Sequence, residues 1–96
     1  MVSDNNLNQV IIEGDITHSC GRELALKVHS NLTVHFICPS ASVARDQELK
    51  ALVGNTGVKI EGRLTTFHEY KKTKTVIIAD KIFKCDKLIY NRENEF

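Results

Sequence analysis

The 96-residue sequence has no tryptophan, one proline and one methionine. With 42% hydrophobic and 26% charged residues, it is neither collagen-like nor so poor in apolar side chains that it cannot offset the entropy of ordering a backbone. Long apolar runs are missing as well. The longest, Val10–Ile12 and Val76–Ala79, fall far short of the ~20 residues that a membrane helix requires, so no membrane partner is expected. The opening Met1–Asn6 lacks the basic and apolar segments of a secretory leader, and the expected location is the cytoplasm. Cysteine is too sparse for a disulfide framework: Cys20, Cys38 and Cys85 are odd in number and show no short paired spacing, which points to buried free thiols.

Several chemistries lack their signatures. Glycine never clusters into a phosphate-cradling loop, and Ser19-Cys20 beside His18 has no third orienting group or nucleophile elbow. His35 and Cys38 are three apart, a spacing that a strand places on opposite faces, and no second ligand pair completes a zinc site. No catalytic residue, metal or cofactor is therefore expected. Strong charge of one sign is also missing: thirteen Lys or Arg face twelve Asp or Glu, a net +1. Taken whole, that balance argues against a polyanionic partner.

What is present is alternation. The length suits one domain, expected over residues 1–90 with a short charged tail at 91–96. From Leu7 to Thr17, Val10, Ile12, Gly14 and Ile16 share one face and Ile11, Glu13 and Asp15 the other, the period of a half-buried strand. After the polar break Thr17–Arg22, Leu24, Leu26 and Val28 alternate with Ala25, Lys27 and His29. Ser30-Asn31 is a turn signal, and Leu32, Val34, Phe36 and Cys38 then alternate with Thr33, His35 and Ile37, so the two runs form a hairpin. Pro39 stops the strand, and Ser40 or Ser42 caps a short helix from Val43 to Val53 with a stripe of Leu49, Leu52 and Val53. Gly54 or Asn55 ends the helix. A fourth strand carries Val58, Ile60, Gly62 and Leu64 against Lys59, Glu61, Arg63 and Thr65. A loop, His68–Thr73, precedes a fifth strand over Lys74–Phe83, in which Val76, Ile78 and Ile82 face one way and Ile77, Ala79 and Phe83 the other.

Three strands, a helix and two strands is the element order of an OB-fold, an all-β five-stranded Greek-key barrel with one short helix between strands three and four. Other small five-stranded α+β arrangements share that order. Gly14 and Gly62, each inside a strand pattern, predict sharp coiling, a bulge or close backbone approach, as a small closed sheet needs at its corners.

Asn8–Thr17 resembles the opening strand of bacterial single-stranded DNA-binding proteins, with its Asn-x-Val-x-hydrophobic-x-Gly-x-hydrophobic pattern. Gly57–Leu64 looks like that family's fourth strand and Val76–Ile82 like its fifth. The resemblance spans Asn8 to Phe83, the middle matching by element order. The chain departs from the family in its Ser30-Asn31 turn, where the family has a long loop, in its lack of tryptophan, and in having no long C-terminal segment, although Glu93-Asn94-Glu95-Phe96 faintly resembles the family's acidic tip. In compactness it is similar to the primosomal replication protein branch. The resemblance implies sequence-tolerant binding of single-stranded DNA in replication, recombination or repair, with other replication proteins as further partners.

Such binding needs cations for phosphates and flat rings for bases. Lys59, Arg63 and Phe67 recur every four residues, on one strand face. The loop beyond them sets Phe67 and Tyr70 beside Lys71, Lys72 and Lys74; the bland reading is a solvated hairpin tip and a packed core edge. Lys27, His29 and His35 project from the hairpin, and Arg22 sits in the first loop. Phe36 reads as core, Phe83 as a base contact or subunit contact, and Tyr90 and Phe96 lie in a stretch too polar to place. Ile11, Ile37 and Ile77 fall on nominal outer faces, which predicts a covered surface and hence a homodimer or homotetramer. A protein-interaction module with little nucleic-acid affinity and an RNA-binding OB-fold are the alternatives. Division of the charge favours nucleic acid: residues 57–90 hold eight basic and four acidic side chains, residues 1–56 four and six, and residues 91–96 one and two.

Overall fold

The computed structural model describes residues 8–39, 41–69 and 71–95. Within them lie β1 (Val10–Cys20), β2 (Glu23–His29), β3 (Leu32–Ile37), α1 (Val43–Lys50), β4 (Val58–Glu69), β5 (Lys72–Lys84), β6 (Lys87–Asn91) and a 3-10 turn over Arg92–Glu95. β1 pairs antiparallel with β2 through its second half and with β4 through its first. β3 then meets β5 in parallel, Phe36 opposite Ile77 and Ile37 opposite Ile78. The ring β1-β2-β3-β5-β4 is thereby closed, with the helix between its third and fourth strands, and this is the OB-fold barrel.

Two glycines allow the closure. A Cβ on Gly14 would collide with the Lys27 carbonyl, and one on Gly62 with the Ile78 carbonyl. Both corners depend on backbones passing closer than a side chain permits. The core consists of Ile16, Leu24, Leu26, Phe36, Val58, Ile60, Ile77, Ala79 and Ile82, all at most 4% exposed. Ser42 caps α1 by accepting from the Arg45 N–H at 3.1 Å, and Ser40 lies outside the described residues. Leu49 enters the core while Leu52 is half-buried. Gly54 N–H donates to Ile16 O at 2.7 Å and Ile16 N–H to Asn55 O at 3.0 Å, locking the helix exit to β1.

Several sequence expectations need correction. The helix ends at Lys50 rather than Val53, because a run of tight turns over 51–54 takes the chain back to β1. Leu7 lies outside the described residues, and β1 runs from Val10 past the expected end at Thr17 to Cys20: a bulge at Thr17 absorbs the polar break, leaving only Gly21-Arg22 as the turn. The His68–Thr73 loop is mostly ladder, since pairing continues to Glu69 opposite Lys72. In β5 the inward set is Ile77, Ala79 and Ile82, so Ile77 is core and not outer surface. The cause is a bulge at Asp80, where Glu61 pairs with Lys81 but Gly62 with Ala79, resetting the alternation. Of the thiols, Cys38 is buried, whereas Cys20 and Cys85 are exposed. The sequence reading also missed β6, which uses the edge of β5 that β3 leaves open and buries Tyr90 to 1% exposure. Its last residue is Asn91, and the 3-10 turn after it meets β5 through Arg92, 3.5 Å from Asp80.

Candidate nucleic-acid interface

Outward residues of β1, β2 and β3 form ordered rows because antiparallel partners share a face. Asp15, Lys27 and Thr33 make one row, His18, Ala25 and His35 the next, and Cys20, Glu23 and Ile37 the third. The Thr17 bulge brings His18 into register, and its ring meets that of His35 edge-to-face at 6.4 Å. Ala25, 1% exposed, pairs with both histidines and forms the floor between them. Glu23 ties this face to the β4–β5 hairpin: one of its carboxylate oxygens lies 2.7 Å from Lys74 Nζ and 3.5 Å from His35 Nδ1.

The expected site residues therefore separate. Lys27 and His35 stand on the β2–β3 face, with Lys74 reaching it across Glu23 and exposed Lys71 and Lys72 at the hairpin end beyond; the expected His29 does not, because a bulge at Val28 pairs it with Leu32, on the opposite face from Lys27 and Thr33. Neither Lys27, Lys71 nor Lys72 has an ion pair among the described residues. At the other end Arg22 turns toward the helix, donating to Ala41 O at 2.8 Å and lying 3.9 Å from Asp46. His29 accepts from Asn31 N–H at 3.3 Å within the β2–β3 turn. The ladder sets Phe67 opposite Lys74. The Phe67 side chain and the whole of Tyr70 lie outside the described residues.

Lys59 and Arg63 are elsewhere on the barrel, on β4, with β1 between them and β2. Each is engaged. Lys59 lies 3.9 Å from Glu61 and 4.6 Å from the Phe83 ring centroid. Arg63 reaches Asp80 through Nε and Nη2, both at 3.3 Å. Arg92 shares Asp80. An open groove of about 570 Å³ runs beside these groups, lined also by Asn8, Gln9 and Lys81, but opposite charges alternate along it.

Two site residues escaped the sequence reading. Glu23 keeps the spacing of two with Ala25, Lys27 and His29, so alternation alone would have placed it on the face. His18 depends on a bulge that no local pattern announces. Among the described residues no group of three or more His, Cys, Asp or Glu is placed to hold a metal ion, and no helix is long and apolar enough to cross a membrane.

No protein-family model matches the chain, and neither a curated protein nor a solved structure does. The fold thus defines the class, an OB-fold barrel, and the arrangement of its surface carries the functional reading.

Proposed function

We propose that this chain binds single-stranded DNA without sequence preference, in replication, recombination or repair, as the likeness to bacterial single-stranded DNA-binding proteins implies. One observation carries the reading. Lys27, His35, Lys72 and Lys74 gather on the β2–β3 face and the adjoining β4–β5 hairpin, the region by which OB-folds hold oligonucleotides. Phosphates are neutralised by the lysines, and Phe67 and Tyr70 stack bases; no catalytic step or cofactor is involved. The protein acts in the cytoplasm as a homodimer or homotetramer. Ile11, 59% exposed on the outer face of β1, supports a covered surface, and light scattering that finds only the 10.8 kDa chain at micromolar concentration refutes it.

Fluorescence anisotropy with labelled oligo-dT, oligo-rU and a duplex, repeated across salt, tests the function. The expected result is tighter binding to oligo-dT than to duplex and a steep loss of affinity with salt. Preference for oligo-rU would instead assign an RNA ligand. A second reading, a protein-interaction module, draws on Glu23, a carboxylate set among the cations of this face. Absence of binding to all three probes at low salt selects it.

A further inference from the structure

Among the described residues the β3–β5 seam is closed by two residue pairs. Toward the start of both strands it opens into a cleft of about 270 Å³, walled by Ile12, Val34, Leu64, Val76 and Ile77 with Thr33, Thr75 and His35. This is the barrel mouth away from the helix: Leu64 lies six residues along β4 from Val58, about 20 Å at strand rise. Val76 is 1% exposed at the cleft, while Leu64 is 48% exposed. The apolar wall is therefore open to solvent.

We propose that this cleft is a base pocket, taking one unstacked nucleobase of the bound single strand. The inference rests on the single-strand reading above and adds to it a base site built from β1, β3, β4 and β5. Three observations favour a base over another occupant. The cleft is smaller than the roughly 300–1,000 Å³ of drug-sized ligand sites, so it suits one flat ring. Its walls are aliphatic, with two hydroxyls and an imidazole, a composition that offers a ring face apolar contact and its edge hydrogen-bond partners. A cationic neighbour supplies the complementary charge: Lys74 precedes Thr75 and lies against Glu23, which His35 of the cleft also faces. A nucleotide whose base enters the cleft has its phosphate within the reach of Lys74. Elsewhere the placed rings do not serve, since Phe36 and Tyr90 are buried and Phe83 lies beneath Lys59.

Among the described residues only Phe36 and Ile37 of β3 pair with β5, so the strands are joined at the inner end of the cleft alone.

Methyl-resolved NMR of the full chain, titrated with short oligo-dT alongside anisotropy, tests the proposal. Ring-current shifts of the Ile12, Val34, Leu64 and Val76 methyls are expected, saturating together with the anisotropy. Leu64→Asn, at a half-exposed wall position, is expected to bind about fivefold more weakly, the lower end of what one base contact contributes. Oligo-dT binding with unmoved methyls, or with unchanged affinity in folded Leu64→Asn, overturns the pocket and leaves the function standing. No oligo-dT binding overturns both. Methyl shifts that follow protein concentration without oligonucleotide make the cleft a contact between copies and also overturn the pocket.

Discussion

The β2–β3 face and the outer surface of β4, β5 and β6 both carry cations, but they use them differently. On the second surface Arg63 and Arg92 converge on Asp80, and Lys59 lies between Glu61 and the Phe83 ring. Those three cations are spent within the molecule, whereas exposed Lys81 and Lys87 on β5 and β6 have no ion pair among the described residues. On the β2–β3 face and its hairpin, Lys27, Lys71 and Lys72 have no such pairing among the described residues, and Lys74 and His35 share one carboxylate. The count by sequence interval placed the cationic excess in residues 57–90, yet part of that interval is self-neutralised. What a polyanion meets is set by which cations keep a carboxylate beside them.

The largest effects should ignore this division, because both surfaces belong to one barrel. Gly14→Ala forces a methyl against Lys27 O, and Gly62→Ala forces one against Ile78 O. Each is expected to cost about 3 kcal/mol or more, the upper range for overpacking, in urea unfolding. A near-neutral result at either glycine would mean that its strand crossing is looser than the geometry described.

Binding, by contrast, should divide cleanly. Replacing Lys27, Lys72 and Lys74 with Ala is expected to lower the slope of log affinity against log salt for oligo-dT by about 2, at about 0.7 per phosphate contact. Lys59→Ala with Arg63→Ala should leave that slope unchanged. Equal losses from the two sets would erase the distinction between the surfaces. A smaller effect of opposite sign is expected from Glu23→Gln, which keeps the side-chain shape and removes the carboxylate facing Lys74 and His35. Oligo-dT should bind about fivefold tighter, about 1 kcal/mol, the scale of one partly exposed charge contact. Weaker binding would show that Glu23 positions Lys74 instead of competing with the phosphate.

How much of this was legible in the sequence follows from what each signal encodes. Period-two alternation placed Val10, Ile12 and Ile16 inward and Ile11, Glu13 and Asp15 outward, and two costly in-strand glycines marked the two tight corners. These are local consequences of burying one strand face. The Asp80 and Thr17 bulges were not legible: each inserts one residue, which reverses the face of everything beyond it, and nothing in the composition of those strands records the insertion. That is why Ile77 was assigned outward and His18 overlooked. β6 was missed because Lys87, Asn91 and Arg92 make its stretch polar, although Tyr90 enters the core and Ile89 packs against it. The site showed the same limit. Spacing put Lys59, Arg63 and Phe67 on one strand, but Asp80, seventeen residues beyond Arg63, decides whether that guanidinium is available.

The smallest expected effect probes the same contrast from the structural side. β5 turns into β6 through Cys85 and Asp86, with φ of 52° and 61°, while Lys84 pairs with Lys87. A two-residue hairpin with both central residues at positive φ demands a left-handed backbone that Asn and Gly tolerate best and that a cysteine adopts at a cost. Cys85→Asn should therefore stabilise the chain by about 0.5 kcal/mol, seen as a raised urea midpoint with an unchanged m-value. Because β6 extends the surface on which Lys59, Arg63 and Arg92 are engaged internally, oligo-dT affinity and its salt slope should stay at wild-type values. A change in affinity on stabilising this turn would couple the two surfaces, and the β4–β5–β6 side would then take part in binding.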